Sequence, residues 1–184
     1  MWKRDDKYSL EDMVEYDEAF VTKATDAKQK SDLRRGRGSE QKAIVAVMAE
    51  STVLEDFKTG ELTKSCRYFK MKKIENLKAA TAEKLIRDLL DKDIVLQTDE
   101  STTYSKFEDF IDVHVKEISG TKEGKFNLNW AHTAISNFKS DLRKYRMVSE
   151  GKLQNYLNEF CYKLNRRYFG ERLFDRLVIA SIQP

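Results

Sequence analysis

Met13-Val14-Glu15-Tyr16-Asp17-Glu18-Ala19-Phe20-Val21 is rich in β-forming residues and reads as a strand with a carboxylate, Asp17, at its centre. Side chains alternate across a strand, so Glu15, Asp17 and Ala19 share one face while Tyr16, Glu18 and Phe20 share the other. A carboxylate in a buried strand is costly unless it is paired or binds a metal; on an edge strand it is simply solvated. A second stretch far downstream repeats the pattern. Asp93-Ile94-Val95-Leu96-Gln97-Thr98-Asp99 is a short apolar run that also ends in an acid.

Upstream of the first strand, residues 1–12 form a polar extension with Trp2 and Tyr8 as its large anchors, leaving 13–184 as the main domain. Downstream, residues 28–42 carry six cations against two acids, and Gly36 and Gly38 permit sharp turns there. Residues 43–49 are apolar on both faces, as expected of a central strand. Residues 66–72 read as a third strand, so the first three elements suggest an antiparallel meander. The period then changes. Leu85, Ile86, Leu89 and Leu90 line one face of a helix over 81–90, with Thr81 in place to cap it. The strand ending at Asp99 comes next and can lie parallel to the first. A short helix over 104–110 and a fifth strand over 112–118 follow, then a Gly/Lys-rich loop over 119–126 expected to be mobile. The last third is helical, over 131–145, 149–168 and 171–180. The middle helix has an apolar stripe through Leu153, Tyr156, Leu157, Phe160, Cys161 and Leu164, and Leu173, Leu177 and Ala180 of the last are expected to face inward.

The 184 residues suffice for one domain with a real core. Charged residues make up 35% and no apolar run approaches the length of a bilayer span, so a soluble, cytoplasmic protein is expected. The charged first dozen residues do not read as a signal peptide. Cys66 and Cys161 have no CxxC partner, which argues against zinc and against a disulfide framework; both are expected to be buried and reduced. The net charge of +3 is too small to imply a nucleic-acid partner by itself, and its clustering matters more than its sum.

Two acids at the ends of neighbouring strands can hold Mg²⁺, which takes few carboxylates and completes its shell with water and phosphate oxygens. A third ligand would come from a later helix. In the helix over 131–145, Asn137 and Asp141 are four apart and share a face.

Five motifs occur in a fixed order: Val14-Glu15-Tyr16-Asp17-Glu18; Arg35-Gly36-Arg37-Gly38; Thr98-Asp99-Glu100-Ser101; His132-Thr133-Ala134-Ile135-Ser136-Asn137; and Leu153-Gln154-Asn155-Tyr156-Leu157-Asn158-Glu159-Phe160 with Asn165-Arg166-Arg167. In this order the chain, from about Leu10 to Ala180, resembles the catalytic domain of the ISXO2-like, DDE-type insertion-sequence transposases. The resemblance implies an α/β ribonuclease H-like fold, a five-stranded mixed sheet flanked by helices. It also implies metal-dependent hydrolysis and strand transfer of DNA, with Mg²⁺ as cofactor and Mn²⁺ as a substitute. Transposon ends and target DNA would be the partners, and a homo-oligomer the active form.

Carried over motif by motif, Asp17 and Asp99 are the first two catalytic acids and metal ligands. The third position, a Glu in the family pattern, falls on Asn137, with Asp141 as the competing ligand. Lys139 is the accompanying basic residue, with Lys144 as its alternative. Arg34, Arg35, Arg37, Lys42 and His132 are the expected DNA contacts, made to phosphates rather than bases. Two departures stand out: the third carboxylate is absent, and the zinc-binding, DNA-end-recognition region expected ahead of the catalytic domain is missing. A truncated chain is therefore expected. A catalytically inactive remnant acting only as a non-specific DNA-binding or assembly module is the alternative to an enzyme.

Overall fold

A computed structural model describes residues 5, 7–24, 41–99, 107, 111–117, 128–145 and 148–182. Its centre is a five-stranded sheet in the order β3-β2-β1-β4-β5. The strands are β1 (Met13–Thr22), β2 (Lys42–Glu55), β3 (Leu62–Ile74), β4 (Val95–Asp99) and β5 (Val113–Glu117). β2 runs antiparallel to both its neighbours, while β1, β4 and β5 are mutually parallel. This is the mixed, helix-flanked sheet expected of a ribonuclease H-like fold. The meander is longer than its apolar cores suggested, because β2 and β3 continue past the body as a hairpin that turns at Gly60, in a left-handed conformation (φ +69°).

Alternation along β1 divides the core. Val14 and Tyr16, with Ala46, Met48 and Leu96, pack against Ile86 and Leu89 of α1 (Ala79–Leu89) and against Phe107. Val45, Val47 and Ala49, with Phe69 and Met71, pack on the other face against α2 (Asn129–Leu142) and α3 (Leu153–Asn165). Among the described residues the result is a three-layer sandwich, with α1 on one side of the sheet and α2 and α3 on the other.

Several local expectations shift. Lys78, not Thr81, occupies the cap position of α1, and the Thr81 hydroxyl bonds Asn76 instead. The helix expected over 149–168 is α3 flanked by 3₁₀ turns at Glu150–Lys152 and Arg167–Phe169. The last helix, α4 (Arg172–Ile182), leaves Phe174, Ile179 and Ile182 exposed, and Leu173 and Leu177 are only half-buried. Its apolar residues therefore do not seal the core. The two cysteines are buried and unpaired, and burial pushes both thiols up to about 12. The helix expected over 104–110 and the loop over 119–126 lie outside the described residues, apart from the buried Phe107.

β3 is an edge strand, and α3 satisfies its outer backbone groups. The Asn165 amide accepts from Phe69 N–H (2.7 Å) and donates to the Phe69 carbonyl (3.0 Å). Gln154 does the same for Lys73 N–H (2.8 Å) and the Met71 carbonyl (3.0 Å). Arg167 donates to the Cys66 carbonyl (2.7 Å). Side chains thus stand where a sixth strand would pair.

Candidate active site

β1 and β4 pair in parallel with Met13 opposite Val95, Val14 opposite Leu96 and Glu15 opposite Gln97. Asp17 and Asp99, the last residue of β4, each stand two residues beyond the Glu15–Gln97 pair. Both belong to the set of side chains on the α2 side of the sheet, the face opposite Tyr16 and Leu96. Two carboxylates thus stand on one face of adjacent parallel strands, Asp99 at the end of β4. Asp17 stays partly open, with its side chain 21% exposed. Its Oδ1 accepts from the N–H of Glu18 (2.8 Å), and its Oδ2 lies 3.4 Å from His132 Nε2. That hydrogen bond raises the His132 pKa, and the charges of Glu15 and Asp99 add to the rise.

His132 is in place because Glu15 fixes the start of its helix. The N-terminal N–H groups of a helix have no partner within it, and α2 has no side-chain cap of its own at Leu128. Glu15, fully buried on β1, reaches across and accepts from Trp130 N–H (2.8 Å) and Ala131 N–H (2.9 Å) with one oxygen, Oε2. Its other oxygen, Oε1, faces Lys64 Nζ at 3.7 Å, and Lys64 also donates to Gln97 (2.7 Å). Burial pushes the Glu15 carboxyl up to about 7, against the opposing pull of the two amides and of Lys64. One strand therefore carries both the candidate ligand, Asp17, and the clamp that seats the facing helix.

The chain matches the family model described as "ISXO2-like transposase domain" over residues 9–165. The chain belongs to that family. No curated protein matches it. Among solved structures, the catalytic core domain of BIV integrase is similar at 13% identity and a TM-score of 0.49, over 84% of this chain and 83% of that one. Membership makes this a DNA-processing domain of transposase type.

In this ISXO2-like transposase domain a cleft of about 450 Å³ opens beside Asp17, and α2 contributes His132, Ser136 and Lys139 to its wall, with Lys42 opposite. Asn137 and Asp141 are not in that wall. They project from another flank of α2, about 100–180° around the helix from the cleft residues at 100° per residue. The charge of Asp141 reaches Lys163 on α3, which places that flank toward the neighbouring helix. Lys144 is tied to Asp141 at 2.5 Å, whereas Lys139 lines the cleft. The cleft thus gathers Asp17, His132, Lys139 and Lys42, while neither Asp99, on the strand beside Asp17, nor Asn137 lines it. Arg34, Arg35 and Arg37 lie outside the described residues.

Among the described residues, no three His, Cys, Asp or Glu side chains converge to hold a metal by themselves. Two carboxylates on neighbouring strands, with open space beside Asp17, still fit Mg²⁺, which usually binds through one or two carboxylates and keeps water and substrate phosphate as its remaining ligands. Asp17 and Asp99 are the residues that would hold it. Glu15 was visible in the sequence only as an acid sharing a face with Asp17. Its partners are 115 and 116 residues away, and no local signal reveals them. No helix among the described residues is long and apolar enough to cross a membrane.

Proposed function

We propose that this domain cleaves and transfers DNA strands with Mg²⁺ held by Asp17 and Asp99. The observation that carries the proposal is that those two acids stand on adjacent parallel strands, each two residues past the Glu15–Gln97 pair, within a chain that belongs to a transposase family. Divalent ions at such a pair activate an attacking oxygen and stabilise the leaving oxygen of a phosphodiester. The chain's own residues do the rest. Lys42 and Lys139 put positive charge along the cleft beside Asp17, where it attracts the phosphate backbone. His132, held against Asp17, presents an imidazole at the same opening, where its protonated form would donate to a phosphate oxygen. Lys139, by its place in the cleft, is the accompanying basic residue we favour over Lys144. The basic segment of Arg34, Arg35 and Arg37 adds phosphate contacts, and transposon ends and target DNA are the substrates.

One observation favours a second reading, a DNA-binding module without cleavage. No third carboxylate joins the pair among the described residues, so metal affinity before DNA binds would be low. Nicking of supercoiled DNA in Mg²⁺ separates the two. Wild type should nick, while Asp17→Asn and Asp99→Asn should each remove nicking with the fold retained. Binding without any Mg²⁺-dependent nicking selects the second reading. Nicking by Asp17→Asn at the wild-type rate removes the proposed ligand.

A further inference from the structure

A second hollow adjoins the cleft. It has a volume of about 350 Å³, and Phe20 and Lys139 line both spaces, so the two adjoin there. Its walls are chemically divided. Val21, Leu142, Tyr145 and Val148 give it apolar and aromatic surface. Lys139 and Arg143, one helical turn apart on α2, bring two cations to it, and neither has a carboxylate partner among the described residues. Lys23, the third cation there, is already paired with Glu150. Tyr145 is held in place by an edge-on contact with Tyr156, ring centroids 4.7 Å apart.

A hollow with an aromatic wall and unpaired cations suits a ligand that is flat and apolar at one end and anionic at the other. A nucleotide has that form. Its base stacks on aromatic surface while its phosphate meets the cations, and this is how single strands are held without reading sequence. A base still paired in a duplex has its faces covered by its neighbours and does not fit a hollow of this kind. We propose that this hollow is a subsite for an unpaired nucleotide of the DNA, next to the phosphate presented to Asp17. The base lies against Tyr145, and Lys139 and Arg143 hold its phosphate. The proposal rests on the DNA-strand reading above and narrows it: the preferred substrate has a frayed or single-stranded end beside the scissile position.

The test compares a blunt DNA duplex with the same duplex carrying a short single-stranded end, by fluorescence anisotropy with the full chain in EDTA. A 2-aminopurine in the single-stranded end reports stacking. Wild type should bind the frayed duplex about 5- to 150-fold more tightly, the range expected for one stacked base, and should quench the 2-aminopurine. Tyr145→Leu should bring the two affinities together and restore the emission. Arg143→Gln, an exposed change that leaves the packing alone, should lower the ratio as well. Equal affinities in wild type overturn the proposal, and so does a ratio unchanged in both variants. Mg²⁺-dependent nicking, assayed on the same DNAs, reports separately on the strand-cleavage reading. Nicking with equal affinities sinks only the subsite. A frayed-end preference without nicking keeps the subsite and sinks the cleavage.

Discussion

Glu15 is the residue whose chemistry is least ordinary. Its folded-state pKa of about 7 stands above the reference value of 4.5 because burial disfavours the charged form. A carboxyl held protonated in the fold stabilises it fully below the unfolded pKa. That stability is lost as pH rises toward the folded pKa, because the unfolded chain ionises first. The metal-free protein should therefore lose on the order of 3 kcal/mol between about pH 4.5 and pH 7 from this group. His132 acts in the same direction: its pKa is raised, so its contribution fades as pH climbs above the ordinary imidazole range. Denaturant midpoints across this window should fall with pH in wild type and flatten in Glu15→Gln, which keeps an acceptor for Trp130 and Ala131; an equal slope in both would exclude Glu15 as the source. A second prediction at this scale concerns Asn137. Because it stands outside the cleft wall, Asn137→Ala should leave Mn²⁺ affinity, read by paramagnetic relaxation, within about twofold, a difference of roughly 0.4 kcal/mol. Asp17→Asn should lower that affinity much more. If Asn137→Ala does equal damage, α2 turns its other flank to the metal.

At the scale of elements, α3 shows how a pattern can be legible while its purpose is not. The apolar stripe of Leu153, Leu157 and Cys161 could be read from a period of 3.6, and it does face the sheet. The polar letters of the same motif, Gln154 and Asn165, carried no local meaning. Their partners on β3 lie 81 and 96 residues away in the chain. β1 and β4 were legible for the opposite reason, since each is a compact β-forming run with its acid inside it. The pairing of Asp17 with Asp99 was suggested by motif order, but the strand pairing that supports it needed the sheet. Helix faces were legible only where apolar residues marked them, so nothing local separated the flank of His132 and Lys139 from that of Asn137. The consequence for stability is direct. Asn165→Ala would leave a buried N–H and carbonyl of Phe69 without their partners, at about 1–3 kcal/mol for each unsatisfied group. Urea unfolding should show a loss of at least about 2 kcal/mol. A loss below 0.5 kcal/mol, roughly that of an ordinary surface change, would mean that water replaces the amide freely.

At the scale of the whole molecule, the sandwich around the sheet holds nearly all the buried apolar surface, and α4 stands apart from it with Phe174, Ile179 and Ile182 in solvent. Removing residues 171–184 should therefore shift Tm by no more than about 2–4 °C, equivalent to roughly 1 kcal/mol for a chain of this size. A larger drop in calorimetry would mean that α4 is tied to the body more firmly than its exposure suggests. The opposite edge of the molecule behaves differently. The amides of Gln154 and Asn165 and the guanidinium of Arg167 occupy hydrogen-bonding positions that an incoming strand from another copy would need. Should α3 lift away while the sheet stays intact, the stretch of β3 from Cys66 to Lys73 would be uncovered, open to the first extended segment it meets. Colloidal behaviour during expression, heating or storage would then follow the docking of one helix rather than the melting temperature of the whole, with solutions turning cloudy before the core has given way.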